Sequence, residues 1–148
     1  MRLLKKNKPV QQIISLPAST LLYLFVVYCV ITLSCNKRSG KPRVLVFSKQ
    51  TYYFHTSIPN GIAAIKKLGA ENGFEADTTT DAAFFNEDTL KKYAAVIFLH
   101  NADNKGTLLN QYQEAEFERY IQSGGGYVGI HAAADAEYNW GWYGRLAG

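Results

Sequence analysis

The chain holds three histidines, His55, His100 and His131. His55 lies in the loop after the aliphatic run Arg43–Ser48, His100 ends the run Ala94–His100, and His131 follows Tyr127–Ile130. An imidazole changes charge near neutral pH, so it can serve as acid, base, proton shuttle or metal ligand. The most specific local pattern is Gly124-Gly125-Gly126-Tyr127-Val128-Gly129-Ile130-His131-Ala132-Ala133-Ala134-Asp135. It has the outline of a nucleophile elbow: a strand, a sharp turn and a helix, with small residues beside the turn so that backbone can approach closely. Gly129-x-His131-x-Ala133 puts an imidazole where such elbows carry Ser or Cys. Neither GxSxG nor GxCxG occurs, so acyl transfer through Ser or Cys at this turn has no support. His131 is the expected catalytic group, with His55 and Asp135 assisting. Asp135 would orient His131 or share a metal ion with it if the turn continues as a helix. No Cys/His cluster with metal-ligand spacing is present, so the cofactor stays open, a divalent metal being one reading.

These residues need a scaffold that brings them to one edge. Short aliphatic runs that are apolar on successive residues suit strands buried on both faces of a parallel sheet. Arg43–Ser48 and Ala94–His100 are two such runs, Phe74–Thr79 alternates as a further strand, and Tyr127–Ile130 gives a fourth. Between them, Ile58, Ile62, Ile65 and Leu68 recur as one stripe of a helix, with Pro59 in its first turn and Gly69 and Gly73 bracketing its end. Asn86–Tyr93 reads as a short helix. Asn110 and Gln113 form a capping box that opens a helix over Gln111–Ser123, burying Phe117, Tyr120 and Ile121. The alternation implies an α/β fold, a parallel sheet with helices on both faces and right-handed crossovers. In such sheets ligands bind outside the carboxyl ends of the strands, where all three histidines fall. The chain then runs through Trp140-Gly141-Trp142-Tyr143-Gly144 to Gly148. Ending on an aromatic, glycine-rich loop predicts a domain that is incomplete at its C-terminal side.

The N-terminal region reads differently. Arg2, Lys5, Lys6 and Lys8 precede an uncharged stretch that lasts until Lys37, and Leu21–Leu33 within it is apolar apart from Thr32. That is the pattern of a secretory signal, and it is long enough to span a bilayer, which takes about 20 residues. Leu33-Ser34-Cys35 resembles the end of a bacterial lipobox, though Thr32 stands where Leu is usual. The expected organisation is a signal peptide or membrane anchor over 1–35 with Cys35 as a lipidation site, a tether over 36–42 and a domain over 43–148. This places the domain outside the cytoplasm, anchored to the cell envelope, and an acylated cysteine would supply the two chains that stable anchoring needs. Four of the sixteen basic residues lie in the leader, leaving twelve against twelve acidic ones. The rest of the chain is therefore neutral, and nucleic acid is not an expected partner. Neither cysteine, Cys29 or Cys35, falls within the domain, so it has no disulfide or thiol chemistry.

Several stretches together carry a resemblance. They are His55-Thr56-Ser57-Ile58-Pro59, the strand ending near His100-Asn101, Leu109-Asn110 with Phe117-Glu118-Arg119-Tyr120-Ile121, the run from Gly124 to Asp135, and Tyr138-Asn139-Trp140 with Trp142-Tyr143-Gly144-Arg145-Leu146. Over 43–148 the chain resembles the ThuA-like (trehalose utilisation) family. That resemblance implies a flavodoxin-like fold of the class I glutamine amidotransferase type without its catalytic cysteine, and a link to trehalose or other sugar metabolism. It also implies a longer domain than this one. The stretch Asn101–Gly106 departs from the Thr-Gly-Asp-like pattern of many relatives. A small carbohydrate is the expected ligand. His100 and Asn101 at the sheet edge, and Trp140, Trp142 and Tyr143 as rings that stack on sugar C–H faces, are the expected substrate contacts. An enzyme acting on a sugar, a sugar-binding module without turnover and an inactive fragment all fit these residues. Ordinary glycosidases need two carboxyl groups flanking the bond; Asp103, Asp135 and Glu137 are candidates that no spacing pairs.

Overall fold

The computed structural model describes residues 40–103 and 108–148, with residues 17, 19, 20 and 23. Contacts divide the chain into Met1–Arg38 and Ser39–Gly148, and the second unit carries the sheet. Cys35 and most of the apolar run before it lie outside the described residues. Among the described residues no helix is long and apolar enough to cross a membrane.

Four strands form one sheet: β1 (Arg43–Phe47), β2 (Glu75–Thr79), β3 (Ala95–Leu99) and β4 (Gly126–Ile130). The order is β2-β1-β3-β4, with all three pairings parallel. This is a flavodoxin-like arrangement, in which the strand order reverses between β1 and β3. Side chains alternate across the pleat, so the two faces build two cores. Val46, Ile97 and Leu99 pack with Ile65, Ile58, Ile62 and Phe74 under helix α1 (Ile58–Asn72). Leu45, Phe47, Val96 and Phe98 pack with Phe85, Leu90 and Phe117 on the opposite face. There lie α2 (Glu87–Leu90), α3 (Gln111–Gln122) and α4 (Gly141–Ala147). Burial on both faces explains why β1 and β3 read as continuous aliphatic runs.

Two local expectations need correction. Leu68 is 52% exposed, whereas Gly69 is buried. The inward stripe of α1 continues from Ile65 by four residues to Gly69, because a Cβ there would lie 2.6 Å from the Phe74 carbonyl oxygen. The helix must close on the chain entering β2, and only glycine fits. The second correction is α4: the stretch after Trp140 is a helix, not a loop, since its aromatic rings dock on α3 and that packing overrides the poor helix propensity of Gly141 and Gly144. The capping box of α3 is as expected. The Gln113 N–H donates to Asn110 Oδ1 at 3.0 Å, and the Asn110 N–H donates to Gln113 Oε1 at 2.9 Å.

Candidate functional site

The loops after β1 and β3 are laced together. The Gln50 amide donates to the carbonyls of both His100 and Tyr53, each at 3.0 Å. The Thr51 N–H donates to the Ala102 carbonyl at 3.1 Å, and its hydroxyl donates to Asp103 Oδ1 at 2.7 Å. Asn101, fully buried, donates its amide to the Lys49 carbonyl at 3.2 Å. These bonds hold the loop that carries His55 against the end of β3, where His100 sits.

His131 lies at the bend that leaves β4. Its φ is 57°, and that of His100 is 56°. Left-handed backbone is uncommon for residues with a side chain, though His adopts it more readily than most. Two adjacent strands thus end on a residue in the same sparsely populated conformation, a feature that persists only where surrounding contacts enforce it. At the His131 bend the flanking glycine has a packing reason: a Cβ on Gly129 would lie 2.8 Å from the Tyr127 hydroxyl and 3.3 Å from the Ala133 methyl.

The three imidazoles meet. Ring centroids are 4.7 Å apart for His55 and His100, 5.0 Å for His55 and His131, and 4.7 Å for His100 and His131. The Nδ1 atoms of His100 and His131 lie 3.1 Å apart, within hydrogen-bond reach, so one must be protonated and the other bare. The Nε2 of His100 is 3.5 Å from Ser57 Oγ. Burial, and after it electrostatic repulsion from the neighbouring His55 and His131 rings, holds His100 below the usual imidazole range. A cleft of about 390 Å³ opens beside the cluster, lined by Tyr52, Tyr53, His55, His131 and Asp135 among others. A second of about 580 Å³, lined by Lys49, Phe54 and His55, adjoins it.

Asp135 is in this cleft but does not pair with His131 as a helical neighbour would. The segment His131–Ala134 is one 3-10 turn, and the Asp135 carboxylate accepts from the Tyr138 hydroxyl instead. Asn101 is an internal clamp with no surface to offer a substrate; its Oδ1 is buried without a partner. Trp140 and Tyr143 are 8% and 1% exposed and belong to the core on the α3 side. Trp140 stacks on Tyr143 at 5.6 Å and on Trp142 at 5.3 Å and donates its indole N–H to Glu118 at 2.9 Å. The Tyr143 hydroxyl donates to the Ala133 carbonyl at 2.6 Å. Trp142 is half-buried against Phe117. Rings packed face to face in a core leave no free face for a sugar, so Trp140 and Tyr143 are not placed as a stacking platform here, and Trp142 stacks one face on Trp140. Asp103 and Glu137 are each 2% exposed, so of the three candidate carboxylates only Asp135 opens to the cleft.

The exposed rings are elsewhere. Tyr52, Tyr53 and Phe54 are 61%, 62% and 72% exposed, and Tyr53 stands 4.8 Å from His55 in an edge arrangement. In the sequence these residues read only as part of a polar and aromatic loop. The available signal was three consecutive aromatics outside any strand, which no single packed face can bury.

An open parallel sheet whose order reverses between β1 and β3, with two of the three imidazoles on the loops at that reversal, defines an α/β protein of the kind that takes its ligand in the crevice at the strand ends. Within that class, the family model described as trehalose utilisation, ThuA, matches residues 43–148, and the chain belongs to this family. A solved structure of a ThuA-like protein from Bacteroides uniformis is 27% identical, with a TM-score of 0.58 over 75% of this chain and 45% of that one. The chain therefore spans less than half the length of that structure. No functionally curated protein matches it.

Proposed function

We propose that this chain is the part of a ThuA protein that holds a small carbohydrate, trehalose or a related sugar, against the histidine cluster, with His131 as the acid/base group. The observation that carries the reading is the convergence of three imidazoles within 5.0 Å, centroid to centroid, beside a cleft rimmed by exposed aromatic rings. Tyr52, Tyr53 and Phe54 supply stacking surface for sugar C–H faces. His131, the exposed member of the cluster, is the one best able to exchange a proton with a bound hydroxyl. With one carboxylate in the cleft, two-carboxylate glycosidase chemistry is not the mechanism these residues support.

In full-length protein that turns over a disaccharide, His131→Asn, which keeps the left-handed backbone accessible, is expected to lower kcat by about 10²-fold or more while calorimetry shows sugar binding retained. Tyr53→Ala is expected to weaken that binding and leave kcat largely intact. Undiminished turnover in His131→Asn would remove His131 as the acid/base. The second reading, a sugar-binding module without turnover, is favoured by the lone cleft carboxylate, and it predicts the Tyr53 effect without any turnover to lose.

The same proposal places the domain at the cell envelope, exported and held by an acylated Cys35. Its support is the basic start, the apolar run and the small residue before the cysteine. Fatty-acid labelling of the expressed chain is expected, and it should vanish in Cys35→Ser; equal labelling of both would refute acylation at Cys35.

A further inference from the structure

We propose that the imidazoles of His55, His100 and His131 bind one divalent transition-metal ion as a three-nitrogen site with a coordination position left open to the cleft. This uses the same side chains as the sugar reading but does not depend on a sugar. One ligand nitrogen from each ring can be chosen so that all three lie within 4.8 Å of one another. Tetrahedral Zn²⁺ with bonds of about 2.0–2.1 Å sets its nitrogens about 3.3 Å apart, and the Nδ1 atoms of His100 and His131 are already at 3.1 Å. Only His55, on a loop, has to close in.

The support around the ligands has the form a metal site uses. If His100 binds through Nδ1, its Nε2–H is left to donate to Ser57 Oγ, now 3.5 Å away. Such an outer hydrogen bond fixes the tautomer and the ring orientation. His55 is positioned through Gln50, whose amide bridges the carbonyls of Tyr53 and His100. The left-handed backbone at His100 and His131 aims both rings from neighbouring strand ends. Three ligands from three separate loops make a site that exists only when the sheet is assembled.

The donor chemistry selects the ion. An all-imidazole set suits Zn²⁺, Co²⁺, Ni²⁺, Cu²⁺ or Fe²⁺ rather than Ca²⁺ or Mg²⁺, which take oxygen ligands. Three protein nitrogens with a free fourth position is the pattern of catalytic rather than structural zinc. Asp135 lines the same cleft but is not among the converging ligands, which leaves it available to a molecule bound at the open position.

Titration of the full chain, purified without a histidine tag, with Co²⁺ followed by Zn²⁺ tests this. The expected result is one Co²⁺ per chain, with the visible absorption of a four- or five-coordinate ion that Zn²⁺ abolishes on displacement. His55→Ala, His100→Asn and His131→Asn are each expected to weaken Zn²⁺ binding by at least about 100-fold, and Ser57→Ala by about 10-fold. His55 lies in a loop outside the helices and strands, so its variant keeps the test valid should a change at either strand end unfold the sheet. No saturable binding at one ion per chain, or binding that the His55 substitution leaves unchanged, overturns the proposal. Metal binding without turnover would count against the enzyme reading alone; histidine-dependent turnover in a chain that takes up no Co²⁺ or Zn²⁺ would overturn the metal site alone.

Discussion

Phe117→Ala is expected to destabilise the domain by about 3–5 kcal/mol, the range for deleting a buried ring. Phe117 is fully buried at the centre of α3. Its ring contacts Phe85 and Phe98 at 5.5 Å each, Tyr127 at 6.1 Å, Trp142 at 6.2 Å and Trp140 at 6.3 Å. These partners come from the turn before α2, from β3 and β4, and from the segment that forms α4, so one truncation loosens the packing of several elements on this face of the sheet. The cavity cannot collapse easily, because the neighbours are rigid rings fixed in place by hydrogen bonds such as Trp140 to Glu118. Domains of this kind have about 5–15 kcal/mol of stability in all, so the loss should be visible as a large fall in the urea midpoint. A change below about 1 kcal/mol would mean that α3 and α4 are not packed on the sheet as described.

The β1 and β3 runs, the α1 stripe through Ile65 and the capping box of α3 are local patterns, and local patterns specify elements. Their alternation specified a parallel sheet, and a parallel sheet places every strand's carboxyl end on one edge. That is why His55, His100 and His131 could be assigned to a common edge without coordinates. How closely they approach could not be read, because it depends on the left-handed turns at His100 and His131 and on the bridge made by Gln50. The aromatic residues were misassigned for a related reason. Ring-bearing residues serve equally as core and as sugar platform, and the choice depends on which layer covers them. Trp140 and Tyr143 go under α3 because Gly141–Ala147 folds as a helix, which its glycines conceal. Tyr52–Phe54 remain outside because their loop is held by backbone and amide bonds at Gln50 and Thr51 rather than by burial of its rings. Asp135 missed His131 because four residues span a helical turn only in an α-helix, and the bend there is a 3-10 turn.

Stability is expected to fall by up to about 3 kcal/mol as pH rises from 4.5 to 7, and Glu137 is the cause. Its carboxyl group is buried, with Oε1 accepting from the Leu109 N–H at 2.7 Å and Oε2 without a partner. Burial, reinforced by the charges of Glu114 and Asp103, pushes it from 4.5 up to about 7. Below pH 4.5 the group is protonated in folded and unfolded chains alike and contributes no pH dependence. Between 4.5 and 7 the unfolded chain releases a proton that the folded chain keeps, so folding is progressively disfavoured; above 7 both states are ionised and the loss is complete. Every tenfold difference in proton affinity between the folded and unfolded chain is worth about 1.4 kcal/mol, which sets the ceiling of about 3. His100 acts in the opposite sense: its lowered affinity for a proton makes folding more favourable as pH rises towards the normal imidazole range. Because Glu137→Gln leaves His100 untouched, subtracting the two pH profiles isolates the carboxylate. The amide also keeps an acceptor for Leu109, so any constant cost of its buried NH2 displaces the whole curve without tilting it. Urea unfolding at pH 5, 6, 7 and 8 should show the wild-type chain losing stability relative to Glu137→Gln across the lower part of that range and running parallel to it above. Parallel profiles throughout would mean that Glu137 ionises normally, and hence that water reaches the carboxylate beneath Leu109.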